Sequence, residues 1–407
     1  MTTPEPIEVD ILVGIPSYNN AGTVGHVVRA VDAGLTKYFP DKKAIIINSD
    51  GGSKDGTPEI VKTATHDHAT LFLSHPAFPI HRISSPYAGI PGKGSAFRAV
   101  FQKAVEMKTA ACCVVDSDLR SITPEWMELL LSPILKQGFD FVAPLYSRYK
   151  YDGTITNSIV YPMTRALYGR RIRQPIGGEF GFSGRLAEFY LQQDVWESHV
   201  ARFGVDVWMT TEAIANGFKV CQTFLGAKIH DPKDPAADLS AMLVQVVSTL
   251  FDLTEKHSGQ WKEIRGSQDL PTFGFRYHVG LEPVKVNLEK MLDIFRTGVK
   301  NLKPIWMEIL GPGDHGQIES LGNLPNDRFR FPPELWTRVI YDYAIAYHRR
   351  AMSAEHLIKS LIPLYLGKTA SFVMEVRDSD HEGAEAEIEK LCLAFEENKD
   401  YLVNNWK

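Results

Sequence analysis

Asp116 and Asp118, two aspartates separated by a single serine, carry the clearest chemical signal in this chain. They come directly after the apolar run 111–115, which predicts a short buried strand. Open α/β folds bind ligands at the carboxyl ends of their strands. Two carboxylates this close repel each other unless a cation lies between them. Mg²⁺ carrying a nucleotide diphosphate would supply that charge, because it binds one or two carboxylates together with phosphate oxygens.

The same triplet also fits a plainer interpretation. A solvated turn would place Asp116 or Asp118 as the N-cap of a helix that begins near Pro124. Short motifs match by chance often enough that the rest of the chain has to decide between the two.

Three further loops carry residues suited to a ligand site. The glycine-rich turn 49–57 follows a predicted strand, so Asp50 could accept hydrogen bonds from a base or ribose, or simply cap the turn. Lys93 lies between two glycines before a predicted helix, which suits contact with a phosphate, although the spacing is not that of a P-loop. The Gly-Gly turn at 177–178 exposes the carboxylate of Glu179.

His230 follows the last strand predicted in the first half of the chain. A histidine in that place can reach a metal ion held by an earlier strand, whereas an isolated histidine is more often structural. His230 is therefore a metal-ligand candidate only jointly with Asp118.

Alternating strand and helix patterns before residue 235 predict a parallel βαβ arrangement, with strands at 9–15, 43–48, 139–145 and 219–225. After residue 235 the patterns are helical, at 237–256, 287–302, 333–350, 354–366 and 384–406. We therefore expect an α/β domain over residues 1–235 and a mainly α-helical domain over residues 236–407.

Composition narrows the classes of partner. A net charge of −5 over 407 residues argues against a general nucleic-acid or anionic-membrane partner. No apolar run is long enough to cross a bilayer, and the acidic N-terminus lacks the features of a signal peptide. Four cysteines without disulfide or zinc spacing indicate buried thiols in a reducing cytoplasm.

Taken together, residues 13–20, 48–57 and 116–118 resemble the nucleotide-sugar half of GT-A glycosyltransferases. With residues 91–94, 174–179, 204–206 and His230 added, the set is similar to the retaining synthases of the glucosyl-3-phosphoglycerate and mannosylglycerate type. The resemblance implies a GT-A fold, with a Rossmann-like, mostly parallel sheet and flanking helices. It also implies transfer of glucose or mannose from a UDP- or GDP-hexose to a glycerate-type acceptor. The helical C-terminal region offers a surface for a homodimer, and the cysteines indicate a cytoplasmic enzyme.

The resemblance also implies roles for individual residues. Asp118 and His230, with Asp116, would hold Mg²⁺ or Mn²⁺. Asp206, Glu179 and Lys93 would act at the reacting centre. The nucleotide-sugar site would comprise Pro16, Tyr18, Asn19, Asp50, Gly92, Lys93, Asp116 and Ser117. The acceptor site would comprise Arg148, Thr154, Thr156, Asn157 and Asp206.

One departure from the family bears on the acceptor. Relatives that use 3-phosphoglycerate resemble Gly-Gly-Arg-Val-Thr where this chain has Asp152-Gly-Thr-Ile-Thr156. A phosphate dianion favours a guanidinium, and an aspartate would repel it. We therefore expect D-glycerate as the acceptor, although Arg148 or Lys150 could supply positive charge from nearby.

Alternatives remain open at this point. The resembling family is thought to react by front-face attack, whereas a double displacement would need Asp206 or Glu179 beneath the anomeric carbon. A 3-phosphoglycerate-dependent synthase differs only in its acceptor. An inverting polysaccharide synthase lacks its Gln-x-x-Arg-Trp motif here, and a sugar-phosphate nucleotidyltransferase would need a glycine-rich signature near the first strand. A non-catalytic binding module would transfer nothing.

Overall fold

The computed structural model describes residues 8–64, 77–230, 239–277 and 279–407. The chain divides into two compact units. The first comprises Met1–Ser147, Ile176–Asp231 and Leu270–Leu281, and the second comprises Arg148–Pro175, Pro232–Asp269 and Glu282–Lys407. This division differs from the predicted boundary at residue 235 in segments 148–175, 232–235 and 270–281, because the chain leaves each unit and returns to it.

A single mixed sheet forms the centre of the first unit. Its strand order is β3-β2-β1-β4-β6-β5-β7-β8, and neighbouring strands are parallel except where β6 pairs antiparallel with β4 and β5. The strands are β1 (Ile11–Ser17), β2 (Ala44–Asp50), β3 (His81–Pro86), β4 (Ala111–Val114), β5 (Phe141–Ser147), β6 (Phe180–Ser183), β7 (Val220–Ala227) and β8 (Thr272–Phe273).

Helices connect the strands of the first unit and make up most of the second. They are α1 (Val24–Tyr38), α2 (Thr57–Thr63), α3 (Lys93–Glu106), α4 (Glu125–Gln137), α5 (Tyr161–Tyr168), α6 (Gly184–Leu191), α7 (Val205–Ala215), α8 (Ser240–Lys256), α9 (Ser258–Trp261), α10 (Leu288–Asn301), α11 (Lys303–Ile309), α12 (Asp314–Gly322), α13 (Pro333–His348), α14 (Ala354–Glu375), α15 (His381–Glu397) and α16 (Lys399–Asn405). Short 3₁₀ turns occur at His199–Ala201 and Asn326–Arg328, and a π-helical segment at Thr156–Val160 leads into α5.

The central strands are apolar because both faces of the sheet are covered. Every residue of β1, β2 and β4 is buried, as expected for parallel strands with helices on both faces. One face packs against α1 and α4, through residues such as Val27, Val31 and Met127. This burial fixes the strand ends, and therefore the loops that carry the candidate site.

The predicted α/β architecture with a helical C-terminal region is confirmed, but details differ. The antiparallel strand β6 was not predicted, because its four residues contain two phenylalanines and a glycine without alternation. The segment at 154–160, with three hydroxyl side chains, is helical and buried. The first two residues of the predicted helix 237–256, and residues 1–7 of the predicted acidic N-terminus, lie outside the described residues. No helix in the described part of the chain has the length and apolar character needed to span a bilayer.

Candidate active site

Five charged side chains of the first unit meet at the carboxyl edge of its sheet. Asp116 lies two residues beyond β4, and Lys228 follows β7 directly. Lys93 is the first residue of α3, and Asp206 lies in the first turn of α7. Glu179 immediately precedes β6. Strand ends and helix starts thus bring together residues that are up to 135 positions apart (228 − 93).

The two lysines bridge the three carboxylates. Lys93 Nζ lies 2.8 Å from Asp116 Oδ1 and 3.2 Å from Asp206 Oδ2. Lys228 Nζ lies 3.1 Å from Asp116 Oδ2, and 2.8 and 2.9 Å from the two oxygens of Glu179. Both oxygens of Asp116 therefore face an ammonium group, and each lysine joins Asp116 to a second carboxylate.

Gly178 allows this arrangement because it has no side chain. Its φ is 93°, in the left-handed region that favours glycine. A Cβ at this position would lie 2.5 Å from Asp116 Oδ2, 3.0 Å from Lys228 Nζ and 3.2 Å from Lys93 Nζ. The predicted Gly-Gly turn thus brings backbone into contact with the charged cluster.

Burial and charge act in opposite directions on these groups. Burial alone would raise the pKa of Asp116, but Lys93 and Lys228 hold the pKa of that carboxyl well below its ordinary value. Burial raises the pKa of Glu179 well above its usual range, against the opposing charge of Lys228. Burial also raises the pKa of Asp206. Burial would lower the pKa of Lys93, yet Asp116 and Asp206 raise it.

Asp206 and Glu179 differ in what their oxygens contact. Glu179 is fully buried, and it accepts hydrogen bonds from Lys228 and from the Tyr146 hydroxyl. Asp206 Oδ2 accepts from Lys93, while its buried Oδ1 has no hydrogen-bond partner among the described residues. Because buried polar atoms are usually paired, Asp206 Oδ1 is the oxygen of this cluster that is available to a ligand.

Lys228 and Tyr146 were missed by the sequence reasoning. Tyr146 lies in β5, its hydroxyl donates to Glu179, and Lys228 Nζ lies 5.5 Å from the centre of its ring. Lys228 had one usable signal, its position directly after a strand that ends at the same edge as Asp116. Tyr146 had none, since a tyrosine near the end of a buried strand is typical of a core.

The turn that carries Asp118 runs beside the segment that carries His230. Arg120 N–H donates to Ile229 O at 2.9 Å, and Ile229 N–H donates to Ser121 Oγ at 2.9 Å. Asp118 and His230 thus belong to segments joined by one backbone–backbone and one backbone–side-chain hydrogen bond, and both residues are partly exposed. Within the described ranges, no group of three or more His, Cys, Asp or Glu side chains is already arranged around a metal position.

The predicted nucleoside residues lie at the ends of β1 and β2. The Tyr18 side chain is 64% exposed. Asn19 has a φ of 55°, and its backbone N–H donates to Ser53 Oγ. Ser117 Oγ donates to Asn20 Oδ1 at 2.9 Å. Pro16 is buried within β1, and Gly92 N–H donates to the Tyr87 hydroxyl.

The hydrogen bonds of the Asp50 side chain are made to its own turn and to Ser17. Its carboxylate accepts four hydrogen bonds, from the hydroxyls of Ser17 and Ser53 and from the backbone N–H groups of Gly52 and Ser53. A carboxylate offers about four lone-pair positions. Of the two roles that the sequence left open for Asp50, the geometry corresponds to capping the turn.

The remaining predicted acceptor residues belong to the second unit. Arg148 forms an ion pair with Asp152 at 3.4 Å. Thr154, Thr156 and Asn157 are each less than 10% exposed, and Thr154 Oγ1 lies 2.6 Å from the Tyr365 hydroxyl. Unlike these four residues, the predicted acceptor residue Asp206 is part of the charged cluster of the first unit.

Several known proteins are similar to parts of this chain. Residues 12–186 match the family model described as Glycosyl transferase family 2. Glucosyl-3-phosphoglycerate synthase from Mycobacterium tuberculosis is similar to this chain in several solved structures. Its complex with Mn²⁺, UDP and glucosyl-3-phosphoglycerate is 18% identical, with a TM-score of 0.44 and coverage of 61% of this chain and 80% of that chain. Its complex with Mg²⁺ and UDP gives the same values.

A structure described as a mycobacterial protein is 22% identical, with a TM-score of 0.43 and coverage of 60% of this chain and 74% of that chain. The comparison with curated proteins found no match.

The mostly parallel sheet with its flanking helices and the match to this family model support a glycosyltransferase of the GT-A fold. The match covers residues 12–186, which is less than half of the chain.

Proposed function

We propose that the protein is a metal-dependent retaining glycosyltransferase that moves a hexose, glucose or mannose, from a UDP- or GDP-sugar to D-glycerate. The observation that carries this proposal is the cluster of Lys93, Lys228, Asp116, Asp206 and Glu179 at the carboxyl edge of the sheet. It combines cations that can stabilise a departing diphosphate with a carboxylate oxygen, Asp206 Oδ1, that is available to a sugar or acceptor hydroxyl.

The donor set suits Mg²⁺ or Mn²⁺. Asp118 offers hard oxygen ligands and His230 offers an imidazole on the adjoining segment, while both oxygens of Asp116 face the ammonium groups of Lys93 and Lys228. When bound, the ion supplies Lewis-acid stabilisation of the diphosphate leaving group. Lys93 and Lys228 add positive charge on the protein side. We expect Asp118→Asn and His230→Gln to weaken Mn²⁺ binding in the presence of UDP, measured by electron paramagnetic resonance, and Glu106→Gln to leave it unchanged.

The carboxylates make a double displacement difficult. A covalent route needs a carboxylate oxygen that can attack the anomeric carbon. Glu179 is enclosed by Lys228 and Tyr146, which leaves Asp206 as the one candidate within the cluster. We therefore propose front-face attack, in which Asp206 positions the reactants and the leaving phosphate takes the acceptor proton. Asp206→Ala tests this step, because azide rescue of activity with an inverted product would establish the covalent route instead.

The proposed acceptor preference depends on the groups that Lys150 and Arg148 already bind. Lys150 Nζ donates to three carbonyl oxygens within 376–379, just past α14, at 2.7, 2.6 and 2.8 Å. An ammonium group has three donors, so Lys150 has none left for an acceptor phosphate. Arg148 already pairs with Asp152. We propose that an acceptor without a phosphate, D-glycerate, is therefore preferred over 3-phosphoglycerate.

A screen of donors and acceptors tests the whole proposal. UDP- and GDP-glucose and -mannose would each be incubated with D-glycerate or 3-phosphoglycerate, with Mg²⁺ or Mn²⁺. Products would be read by mass and by the anomeric NMR coupling. We expect transfer to D-glycerate with retained configuration, lost in Lys93→Met and kept in the surface variant Lys103→Met. Transfer to 3-phosphoglycerate alone would contradict the acceptor assignment, and an inverted product would contradict retention. Sugar 1-phosphates made from nucleoside triphosphates would identify a nucleotidyltransferase.

A further inference from the structure

Two lysines in the described part of the second unit are buried, and their ammonium groups form different numbers of hydrogen bonds to the protein. Lys399 is 3% exposed, and its ammonium group donates to the carbonyl oxygens of Ala166 and Ile264, each at 2.8 Å. A third, longer contact reaches Leu167 O. The N–H donors of Lys399 therefore all go to backbone carbonyl oxygens, as those of Lys150 do. Lys399 needs no ligand to account for it.

Lys368, in α14, is 5% exposed but much less completely paired. Its ammonium group donates to Phe331 O at 3.0 Å, which is its one hydrogen bond within the described residues. Burial lowers the pKa of Lys368, and the carboxylates of Glu375, Glu387 and Glu334 oppose that effect. None of these carboxylates lies within ion-pair distance of it. Two of its three donors are thus buried without a protein acceptor, which is costly unless something else accepts from them.

A cavity adjoins this lysine. It has a volume of about 40 Å³, and because a water-sized position needs roughly 10–15 Å³, it has room for about three such positions. Three water molecules take up about 90 Å³ of the liquid, which is a space of the size that a three-carbon hydroxy acid occupies. Pro333 and Ile388 supply apolar wall, and Ser158 and Thr369 supply hydroxyl groups. Asn157, also in the lining, lies with Ser158 in the π-helical segment, a distortion frequent at functional sites.

The polar groups of the cavity sort into donors and acceptors. The hydroxyl protons of Ser158 and Thr369 are used by carbonyl oxygens within their own helical segments, at 2.6 and 2.9 Å, so these oxygens can only accept. The lining residues Glu375 and Glu387 can also only accept when ionised. Among the donors in the lining, Lys390 Nζ pairs with Glu387 at 2.5 Å and Asn157 Nδ2 donates to Asp152 O at 3.1 Å. Lys368 is the buried cation of the lining, and it has a single hydrogen bond among the described residues. A matching ligand therefore has one anionic group for the ammonium and hydroxyl groups that donate to the surrounding oxygens.

We propose that this cavity is a binding site for a small hydroxy acid, whose carboxylate pairs with Lys368 and whose hydroxyl groups donate to oxygens from among those of Ser158, Thr369, Glu375 and Glu387. This goes beyond the proposed transfer reaction, because it assigns a binding site that can be measured without catalysis. The ligand has two sources, the acceptor of the transfer or an effector of the same chemistry.

Isothermal titration of D-glycerate into the full-length protein, without donor or metal, tests the site directly. We expect saturable binding at one site per chain, weakened at least tenfold in Lys368→Met. Lys399→Met is the matched control, because it removes another buried ammonium group and should leave D-glycerate affinity unchanged. Glycerol lacks the carboxylate and propanoate lacks the hydroxyls, so both should bind at least tenfold more weakly than D-glycerate.

Thr369→Val keeps the side-chain shape and removes one acceptor, so it serves if Lys368→Met does not fold, and it should also weaken binding. The proposal would be overturned if wild type did not bind D-glycerate. It would also be overturned if Lys368→Met, or Thr369→Val where Lys368→Met does not fold, bound D-glycerate as tightly as wild type. Transfer kinetics then separate the two sources. If Lys368→Met raises the KM for D-glycerate and keeps kcat, the cavity binds the acceptor. If Lys368→Met changes kcat at saturating D-glycerate, the cavity binds an effector. Failure of every donor to support transfer would refute the proposed function alone.

Discussion

Removing the ammonium group of Lys228 should destabilise the first unit more than removing the carboxylate it neutralises. Lys228 and Glu179 have side chains that are 6% and 0% exposed. Without Lys228, the Glu179 carboxylate keeps only the Tyr146 hydroxyl as a donor. Without the carboxylate, Lys228 still contacts Asp116 Oδ2 at 3.1 Å and Gly177 O at 2.7 Å. The two single variants are therefore not equivalent.

The magnitudes follow from this difference in remaining partners. Lys228→Met leaves a buried carboxylate uncompensated, which costs about 3–5 kcal/mol of unfolding free energy. Glu179→Gln keeps an acceptor for Tyr146 and leaves Lys228 paired, so we expect about 1–3 kcal/mol. The double variant removes both charges, and it should be more stable than Lys228→Met alone. The exposed pair Lys103–Glu106, with side chains 45% and 59% exposed, provides the control Lys103→Met, which should cost less than about 1 kcal/mol.

The pH dependence of the free energy of unfolding provides an independent test. Burial raises the pKa of Glu179 in the folded state, and without Lys228 nothing of comparable strength opposes that rise. Protonated Glu179 therefore supports the fold at pH values below the unfolded pKa, and that support is lost as pH rises through the folded pKa. Lys228→Met should be closer to wild type at pH 5 than at pH 8. Lys228→Met with Glu179→Gln should lose this difference.

Urea unfolding followed by tryptophan fluorescence and circular dichroism measures these changes. Trp126 packs against Tyr146 with ring centres 5.9 Å apart, so fluorescence includes a signal from beside the cluster. A cost for Lys228→Met no larger than that for Lys103→Met would refute the reasoning. So would a double variant whose cost equals the sum of the two single costs, since that result would mean Lys228 and Glu179 do not interact.

Three other substitutions have expected outcomes. Gly178→Ala places a methyl group 2.5 Å from Asp116 Oδ2 and should lower transfer activity by about 100-fold, measured against Gly217→Ala, whose Cβ meets nothing within 4 Å. Asp342 has a pKa raised by burial from 3.8 to about 6, so stability should fall by about 2 kcal/mol as pH rises from 4 to 7. Urea midpoints should show that Asp342→Asn abolishes this fall. Lys150→Met removes three donors from carbonyl groups past α14 and should lower the urea midpoint while transfer to D-glycerate continues.

Sequence reasoning found the residues whose position is set by local pattern. Asp116 follows a buried apolar strand, and Lys93 begins a helix after a glycine, so strand and helix ends alone place both at the sheet edge. Asp50 shows where pattern stops being sufficient. Its place after β2 was predicted, but only the four hydrogen bonds from its own turn distinguish capping from ligand contact.

The segment at 154–160 shows a second limit. Its hydroxyl and amide groups are typical of an open polar loop, whereas the structure buries them in a π-helical turn. Those groups are satisfied by contacts distant in sequence, such as Thr154 with Tyr365 and Ser158 O with the Trp336 ring N–H. Tertiary contacts of this kind allow a polar sequence to be buried. The local sequence of the segment does not predict these contacts.

Lys228 shows a third limit, because its importance comes from charge balance rather than from any motif. Asp116 and Glu179 both lie at the sheet edge, and burial disfavours the ionised form of each. Lys93 alone would have to neutralise Asp116 and Asp206 together, which leaves Glu179 without a counter-charge. A second buried cation was therefore required as soon as three carboxylates were assigned to one site. Counting charges across predicted strand ends, and not only matching motifs, would have pointed to the lysine that follows β7.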